Sequence, residues 1–174
     1  MIQRVVITGA ESTGKTTLAH ALADYYNEPW TKEFVRHYVE QLDRELQFED
    51  LESIARGQLA AEDEQLKQAQ NLIIHDTNIL SSIIYAQHYF KTKLDWVDKH
   101  FKERNYSLYI LCIPDIPWEK DTGQRESPRA RAQLHQTFKA KLNALKLPHV
   151  EISGSKEVRL QQVVELINKL ITNS

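Results

Sequence analysis

Gly9-Ala10-Glu11-Ser12-Thr13-Gly14-Lys15-Thr16 is the stretch on which the reading of this chain turns. Its spacing is G-x-x-x-x-G-K-[ST], that of a phosphate-binding loop. Val5-Val6-Ile7-Thr8 before it is a short, β-branched apolar run, the pattern of a buried strand. Lys15 to Tyr26 after it places Leu18, Leu22 and Tyr25 at helical spacing. Strand, glycine loop and helix together are the context the motif needs. Glycines let the backbone curl so that its N–H groups converge on one concavity, and the helix adds unpaired donors and the positive end of its dipole. The loop therefore predicts an ATP phosphate site built from Gly9, Glu11, Ser12, Thr13, Gly14, Lys15, Thr16 and Thr17. Lys15 is expected on the outer phosphates and the Thr16 hydroxyl on Mg²⁺.

Working outward, Glu28 to Thr31 reads as a loop entering a short second strand, and Glu33 to Leu42 as a helix with Phe34, Tyr38 and Leu42 on one face. Glu33 and Arg36 are three residues apart and so face the same way at the start of that helix, either as a surface ion pair or as a substrate-binding pair. Gln47 to Gln70 has the helical repeat of Leu51, Ile54, Ala55 and Leu59, and Glu62, Asp63 and Glu64 read as its solvated face. Gly57 weakens that helix slightly.

Asn71 to Thr77 reads as a buried strand ending in Asp76, the place for a carboxylate near phosphates and metal. Asp76 could also cap the following helix, Asn78 to Phe90, since capping and catalysis are not exclusive. Leu94 to Arg104 is a short amphipathic helix, and Ser107 to Ile113 a fourth strand, closed by Pro114 and Pro117. The segment from about Trp118 to Arg131 is polar, holds Gly123 and Pro128, and carries Arg125, Arg129 and Arg131. It predicts an exposed lid whose arginines close over a triphosphate. A helix from Arg131 to Leu147, a fifth strand from Pro148 to Ile152, the Ser153-Gly154-Ser155 turn and a helix from Val158 to Ile171 complete the chain.

Five strands alternating with helices predict an α/β fold: a five-stranded parallel sheet with helices on both faces, as one P-loop domain over residues 1–174. Right-handed crossovers would gather the P-loop, Glu33, Asp76, the Trp118 segment and Gly154 at the carboxyl edge of the sheet. Bulk properties narrow the function. A net charge of −2 and a pI of about 6.4 argue against a nucleic-acid binder held by bulk charge. The chain has no apolar stretch of membrane-spanning length and no signal-peptide pattern. The single cysteine, Cys112, sits in an apolar strand and reads as a core residue, which suits a reducing cytoplasm. Histidine and cysteine spacing predicts no structural zinc site. A base-reading N-K-x-D motif at a strand end, the mark of a switch GTPase, is absent from the sequence.

Five stretches in order resemble the nicotinamide riboside kinase domain of the NadR-like family: G-x-E-S-T-G-K-T-T-L-A from Gly9, E-x-x-R at Glu33 to Arg36, I-H-D-T-N at Ile74 to Asn78, D-I-P-W at Asp115 to Trp118, and R-x-x-x-R at Arg125 to Arg129. The resemblance runs from Val5 to the last helix. It implies ATP·Mg²⁺ as cofactor and a nucleoside 5′-hydroxyl as acceptor. It also implies Lys15, Asp76, Glu33, Arg125 and Arg129 as catalytic candidates, with Asp76 or Glu33 taking the hydroxyl proton, or Asp76 holding the metal. Arg36 would fix the substrate; Trp30, Tyr38 or Trp118 would stack on its ring; and adenine would lie near Ser153 and Gly154. Two positions depart from the family pattern: Asn78 stands where a second acid is common, and Arg125 follows Asp121 at a longer spacing. Relatives are often fused to an adenylyltransferase or a DNA-binding domain. With Gly9 so near the start, neither is expected here, so adenylyl transfer and repression are not carried over. A kinase for another nucleoside, and a non-catalytic ATP-binding module, are the competing readings.

Overall fold

The computed structural model describes residues 1–117 and 127–173. Five strands, β1 (Gln3–Thr8), β2 (Trp30–Thr31), β3 (Leu72–Asp76), β4 (Leu108–Cys112) and β5 (His149–Ile152), form one sheet in the order β2-β3-β1-β4-β5. Every pairing is parallel, with Val5 opposite Ile74 on one side and Leu108 on the other. Among the described residues the helices are α1 (Lys15–Tyr26), α2 (Phe34–Glu40), α3 (Asp50–Leu66), α4 (Ile79–Phe90), α5 (Asp95–Glu103), α6 (Pro128–Ala144) and α7 (Lys156–Thr172).

The alternation of side chains along the strands builds two cores. Val6, Tyr109 and Leu111 face α3, α4, α5 and α6, where Ile79, Leu80, Leu134 and Phe138 are fully buried. Val5, Ile7, Leu72, Ile74, Ile110 and Cys112 face α1 and α7, against Leu22, Val163 and Ile167. Both faces are thus covered, and the central strands read as unbroken apolar runs for that reason. Among the described residues no helix is long and apolar enough to cross a membrane.

Several local expectations change. Tyr25 points outward, 59% exposed, and the inner face of α1 is completed instead by Ala19 and Ala23. The expected Gln47–Gln70 helix is shorter because Asp50, at its first turn, binds back to the Gln47 N–H at 2.8 Å and to the Arg44 guanidinium at 2.7 and 2.9 Å. Asn78, rather than Asp76, caps α4 by accepting from the Leu80 N–H. Glu62 is not solvated. It is buried beneath Tyr106, whose hydroxyl donates to it at 2.8 Å, and Arg104 at 3.2 Å, and burial pushes its carboxyl up to about 7. Helix α6 begins earlier than Arg131: Ser127 accepts from the Ala130 N–H and Pro128 occupies the first turn, where its missing N–H costs nothing.

Candidate active site

The carboxyl ends of β1 and β3 bring the two halves of the site together. After β1 the chain enters the glycine loop with φ of +135° at Gly9, +55° at Ser12 and +81° at Gly14. Gly14 needs its glycine twice over. Its φ lies in the left-handed region, and a Cβ there would stand 2.9 Å from the Ile116 side chain. It also opens α1, with no side chain capping the helix. Within the loop the Thr13 hydroxyl donates to the Ala10 carbonyl at 2.8 Å and the Lys15 ammonium to the same oxygen at 2.7 Å. Thr16 and Thr17 are exposed on the first turn.

One strand over, β3 delivers Asp76 beside this turn, and the Thr16 hydroxyl donates to its Oδ2 at 2.5 Å. The other oxygen, Oδ1, is buried and has no hydrogen-bond partner among the described residues. Burial foremost, and then the negative charge of Glu33, push the Asp76 carboxyl up to about 6, against the opposing pull of Thr16 and Lys15. The paired hydroxyl and carboxylate, with one carboxylate oxygen still unsatisfied, suit a small hard cation such as Mg²⁺. Such an ion is usually held by one or two protein oxygens, with water and phosphate completing its shell. Among the described residues no group of three or more His, Cys, Asp or Glu side chains is placed to hold a metal ion.

Glu33 enters from the end of β2, immediately before α2, with its carboxylate 3.7 Å from the Arg36 guanidinium. It lines a cleft of about 110 Å³ shared with Glu11, Gln58, Asn78, Tyr85, Tyr89 and Phe90. Leu46, Leu51 and Ile54 make the rest of its walls largely apolar. The cleft thus offers an apolar, aromatic chamber with the carboxylates of Glu11 and Glu33 in its lining, the form expected of a small-molecule site.

A family model described as AAA domain (AAA_28) matches residues 4–159. The chain belongs to this AAA-domain family. The AAA domain is 26% identical over 178 residues to the trifunctional NAD biosynthesis/regulator protein NadR of Salmonella typhimurium, covering 98% of this chain and 43% of the relative. It therefore spans less than half the length of that curated protein. Solved structures of NadR in complex with NR, and in complex with NAD and AMP-PNP, superpose with TM-scores of 0.84 and 0.83 at 23% identity. They cover 97% of this chain and 51% and 49% of those chains. A deoxyadenosine kinase from M. mycoides with bound dATP matches at a TM-score of 0.62 and 17% identity, covering 95% of this chain and 99% of that one. At these identities the structural matches establish the fold: the five-stranded parallel sheet of P-loop nucleoside kinases.

Not every residue singled out from the sequence lies around the cleft of the AAA domain. Trp30 packs on the α1 side, edge-on to His20 at 5.6 Å with Lys32 over its ring, and Tyr38 donates its hydroxyl to Asp50 at 2.9 Å. Neither is among the residues that line the cleft. Arg36 is half exposed, beside Glu33. Arg129 is exposed on the first turn of α6. Trp118 and Arg125, and with them most of the expected lid, lie outside the described residues. Arg131, grouped with the lid by composition, is buried: its guanidinium donates to the Ser12 carbonyl at 2.9 Å and to the Pro114 carbonyl at 3.5 Å. Ser153 is exposed, whereas the Gly154 N–H is taken by Asp115 at 2.6 Å.

The aromatic wall that sequence reasoning missed is on α4. Tyr85 and Tyr89 stack nearly parallel, 5.7 Å apart and 8° from coplanar. They are one helical turn apart, so the i, i+4 spacing of aromatics was visible, but it reads equally as core. Asn78, the position that departs from the family pattern, is fully engaged: it caps α4 and donates its amide to the Tyr109 hydroxyl at 2.9 Å.

Gly57 has a role its helix propensity hides. A Cβ there would lie 2.1 Å from the Phe34 ring, so the glycine is the seat in which the first turn of α2 rests against α3. Gly57→Ala is expected to displace Phe34 and with it Glu33 and Arg36. Steady-state kinetics should show the acceptor KM rising about tenfold, the order of one or two kcal/mol of misplacement, while the ATP KM stays within about twofold. Equal rises in both constants would show that the seat does not act on the acceptor side selectively.

Proposed function

We propose that this chain is an ATP-dependent kinase that moves the γ-phosphate to a nucleoside 5′-hydroxyl, with nicotinamide riboside as acceptor and nicotinamide mononucleotide as product. The observation that carries the reading is the juxtaposition of the Thr16–Asp76 pair with a cleft lined by Glu33 and by the Tyr85–Tyr89 stack. The likeness to NadR supports the choice of acceptor, and the stacked tyrosines support a flat, cationic ring.

Phosphoryl transfer requires positioning and charge neutralisation more than covalent chemistry by the protein. The loop N–H groups cradle the triphosphate. Lys15 leaves the Ala10 carbonyl for the β/γ oxygens, a short excursion because its stem is already packed against the loop. Thr16 and Asp76 would hold Mg²⁺, which would supply charge neutralisation for the transferring phosphate. Glu33 lines the cleft while Asp76 is committed to Thr16, so Glu33 is assigned to orient the 5′-hydroxyl and take its proton, and Arg36 to steady the Glu33 carboxylate. Arg125 and Arg129 supply the lid charges, and Ser153 and Gly154 border the adenine side.

ADP release with ATP·Mg²⁺ tests the acceptor, measured against nicotinamide riboside, the common ribo- and deoxyribonucleosides, and no acceptor. The expected result is strong acceleration by nicotinamide riboside alone. Acceleration by another nucleoside would replace the substrate and keep the kinase. ATP binding without acceleration by any acceptor would favour a nucleotide-binding module.

A further inference from the structure

Against the glycine loop lies one of the largest fully buried side chains of the described protein. Arg159, on the first turn of α7, is 2% exposed. Its guanidinium reaches three separate loops at the carboxyl edge of the sheet. One terminal nitrogen donates to the Thr13 carbonyl at 2.6 Å. Nε donates to the Gly154 carbonyl at 3.0 Å. The other terminal nitrogen donates to the Ile113 carbonyl at 2.9 Å and pairs with the Asp115 carboxylate. Asp115 in turn accepts from the Gly154 N–H at 2.6 Å, which closes the ring of contacts. Next to it, Arg131 donates to the Ser12 carbonyl, so consecutive carbonyls of the glycine loop, Ser12 and Thr13, are each held by a guanidinium arriving from a different helix.

The consequence follows from peptide geometry. In a trans peptide plane the C=O and the next N–H point in opposite directions. Fixing the Ser12 and Thr13 carbonyls on the guanidinium side turns the Thr13 and Gly14 N–H groups the other way. Gly14 lies close enough for a Cβ to stand 3.6 Å from the Arg159 guanidinium, so the cation also sits directly behind the loop. There its charge adds to the potential felt by an anion in front. Keeping a buried guanidinium only to brace a loop would be an expensive choice when apolar packing does that well. A planar fork that serves a carboxylate and several carbonyls at once suits arginine and not lysine.

We infer that Arg159 is a positioning residue for ATP: with Arg131 beside it, it holds the glycine loop with its N–H donors presented to the triphosphate, and ties that loop to the Gly154 turn and the Asp115 segment. The inference rests on the phosphate-site part of the proposed function and not on the identity of the acceptor.

The test is calorimetric binding of ATP·Mg²⁺, inorganic tripolyphosphate and nicotinamide riboside to the full chain and to Arg159→Lys, with thermal melting alongside. The expected result is a loss of about 10–100-fold in affinity for ATP and for tripolyphosphate alike, with nicotinamide riboside affinity within about twofold, in protein that still melts cooperatively. A merely structural role would weaken all three ligands in proportion to lost stability. Should Arg159→Lys fail to fold, Arg131→Lys, whose partners are fewer, reads the same effect, with a loss of about 3–10-fold for the two phosphate ligands. ATP and tripolyphosphate affinities within twofold of wild type in a folded variant would overturn the inference. Wild-type protein that binds ATP but not nicotinamide riboside would instead overturn the acceptor assignment, and the two phosphate ligands would still decide the role of Arg159.

Discussion

Lys15→Met is expected to lower kcat by about 10³-fold or more while leaving the fold intact. Loss of one preorganised donor to a reacting oxyanion typically costs about 10²–10³-fold, and a transition-state cation in phosphoryl transfer more. In the proposed mechanism Lys15 offers both in one group. The structural cost is small by comparison. Its ammonium makes one hydrogen bond, to the Ala10 carbonyl, worth about 1 kcal/mol, and methionine preserves the packed stem. In a chain of this size that amounts to a melting-temperature shift of about 2–4 °C. Single-turnover kinetics with melting by circular dichroism would separate the two effects. Full turnover in the variant would remove the glycine loop from the chemistry.

Asp76→Asn is expected to do two opposite things, to abolish turnover and to stabilise the ligand-free protein at pH 8. The carboxyl is buried, and its neighbour Glu33 carries the same charge. A rise from the ordinary 3.8 to about 6 means that the folded protein binds the proton more tightly than the unfolded chain. This contribution to stability is present below about pH 4 and is lost as pH climbs through about 6. Above that, the ionised carboxylate costs up to about 3 kcal/mol. Asparagine keeps an oxygen for the Thr16 hydroxyl and removes the charge, so its melting temperature should exceed that of wild type at pH 8 and the difference should shrink towards pH 4. Wild type melting higher at pH 8 would show that Asp76 is stabilised as a carboxylate, contrary to this account. Storing destabilising charge at the proposed cation and phosphate site would be the usual compromise of an active site.

What the sequence makes legible here is whatever repeats or has a fixed local geometry. The apolar runs of β1, β3 and β4 could be read because a strand covered on both faces needs no polar alternation. The glycine loop could be read because its φ angles demand glycines at fixed spacing. Partnered polar residues could not. Glu62 and Arg159 look like the outer faces of α3 and α7, and Arg131 like part of a polar lid; their burial depends on Tyr106, on Asp115 and on the Ser12 carbonyl, each at least 44 positions away in the chain. The aromatics fail for a related reason. Trp30, Tyr38, Tyr85 and Tyr89 are equally plausible ring contacts in one dimension. Only the packing of α4 against α3 decides which of them face the cleft, and it selects the two on α4. Asn78 departs from the family pattern at a position whose side chain is committed to a cap and to Tyr109, which local spacing alone cannot show.

Phosphorus NMR of the mixed protein, ATP·Mg²⁺ and nicotinamide riboside tests the central claim most directly, because it reports where the γ-phosphate goes. The account predicts one new phosphomonoester, coupled to the riboside 5′-methylene protons, appearing in step with ADP. Inorganic phosphate as the sole product, or ATP unchanged by protein that binds it, would contradict the assignment of the cleft beside Asp76 as the seat of a phosphoryl acceptor.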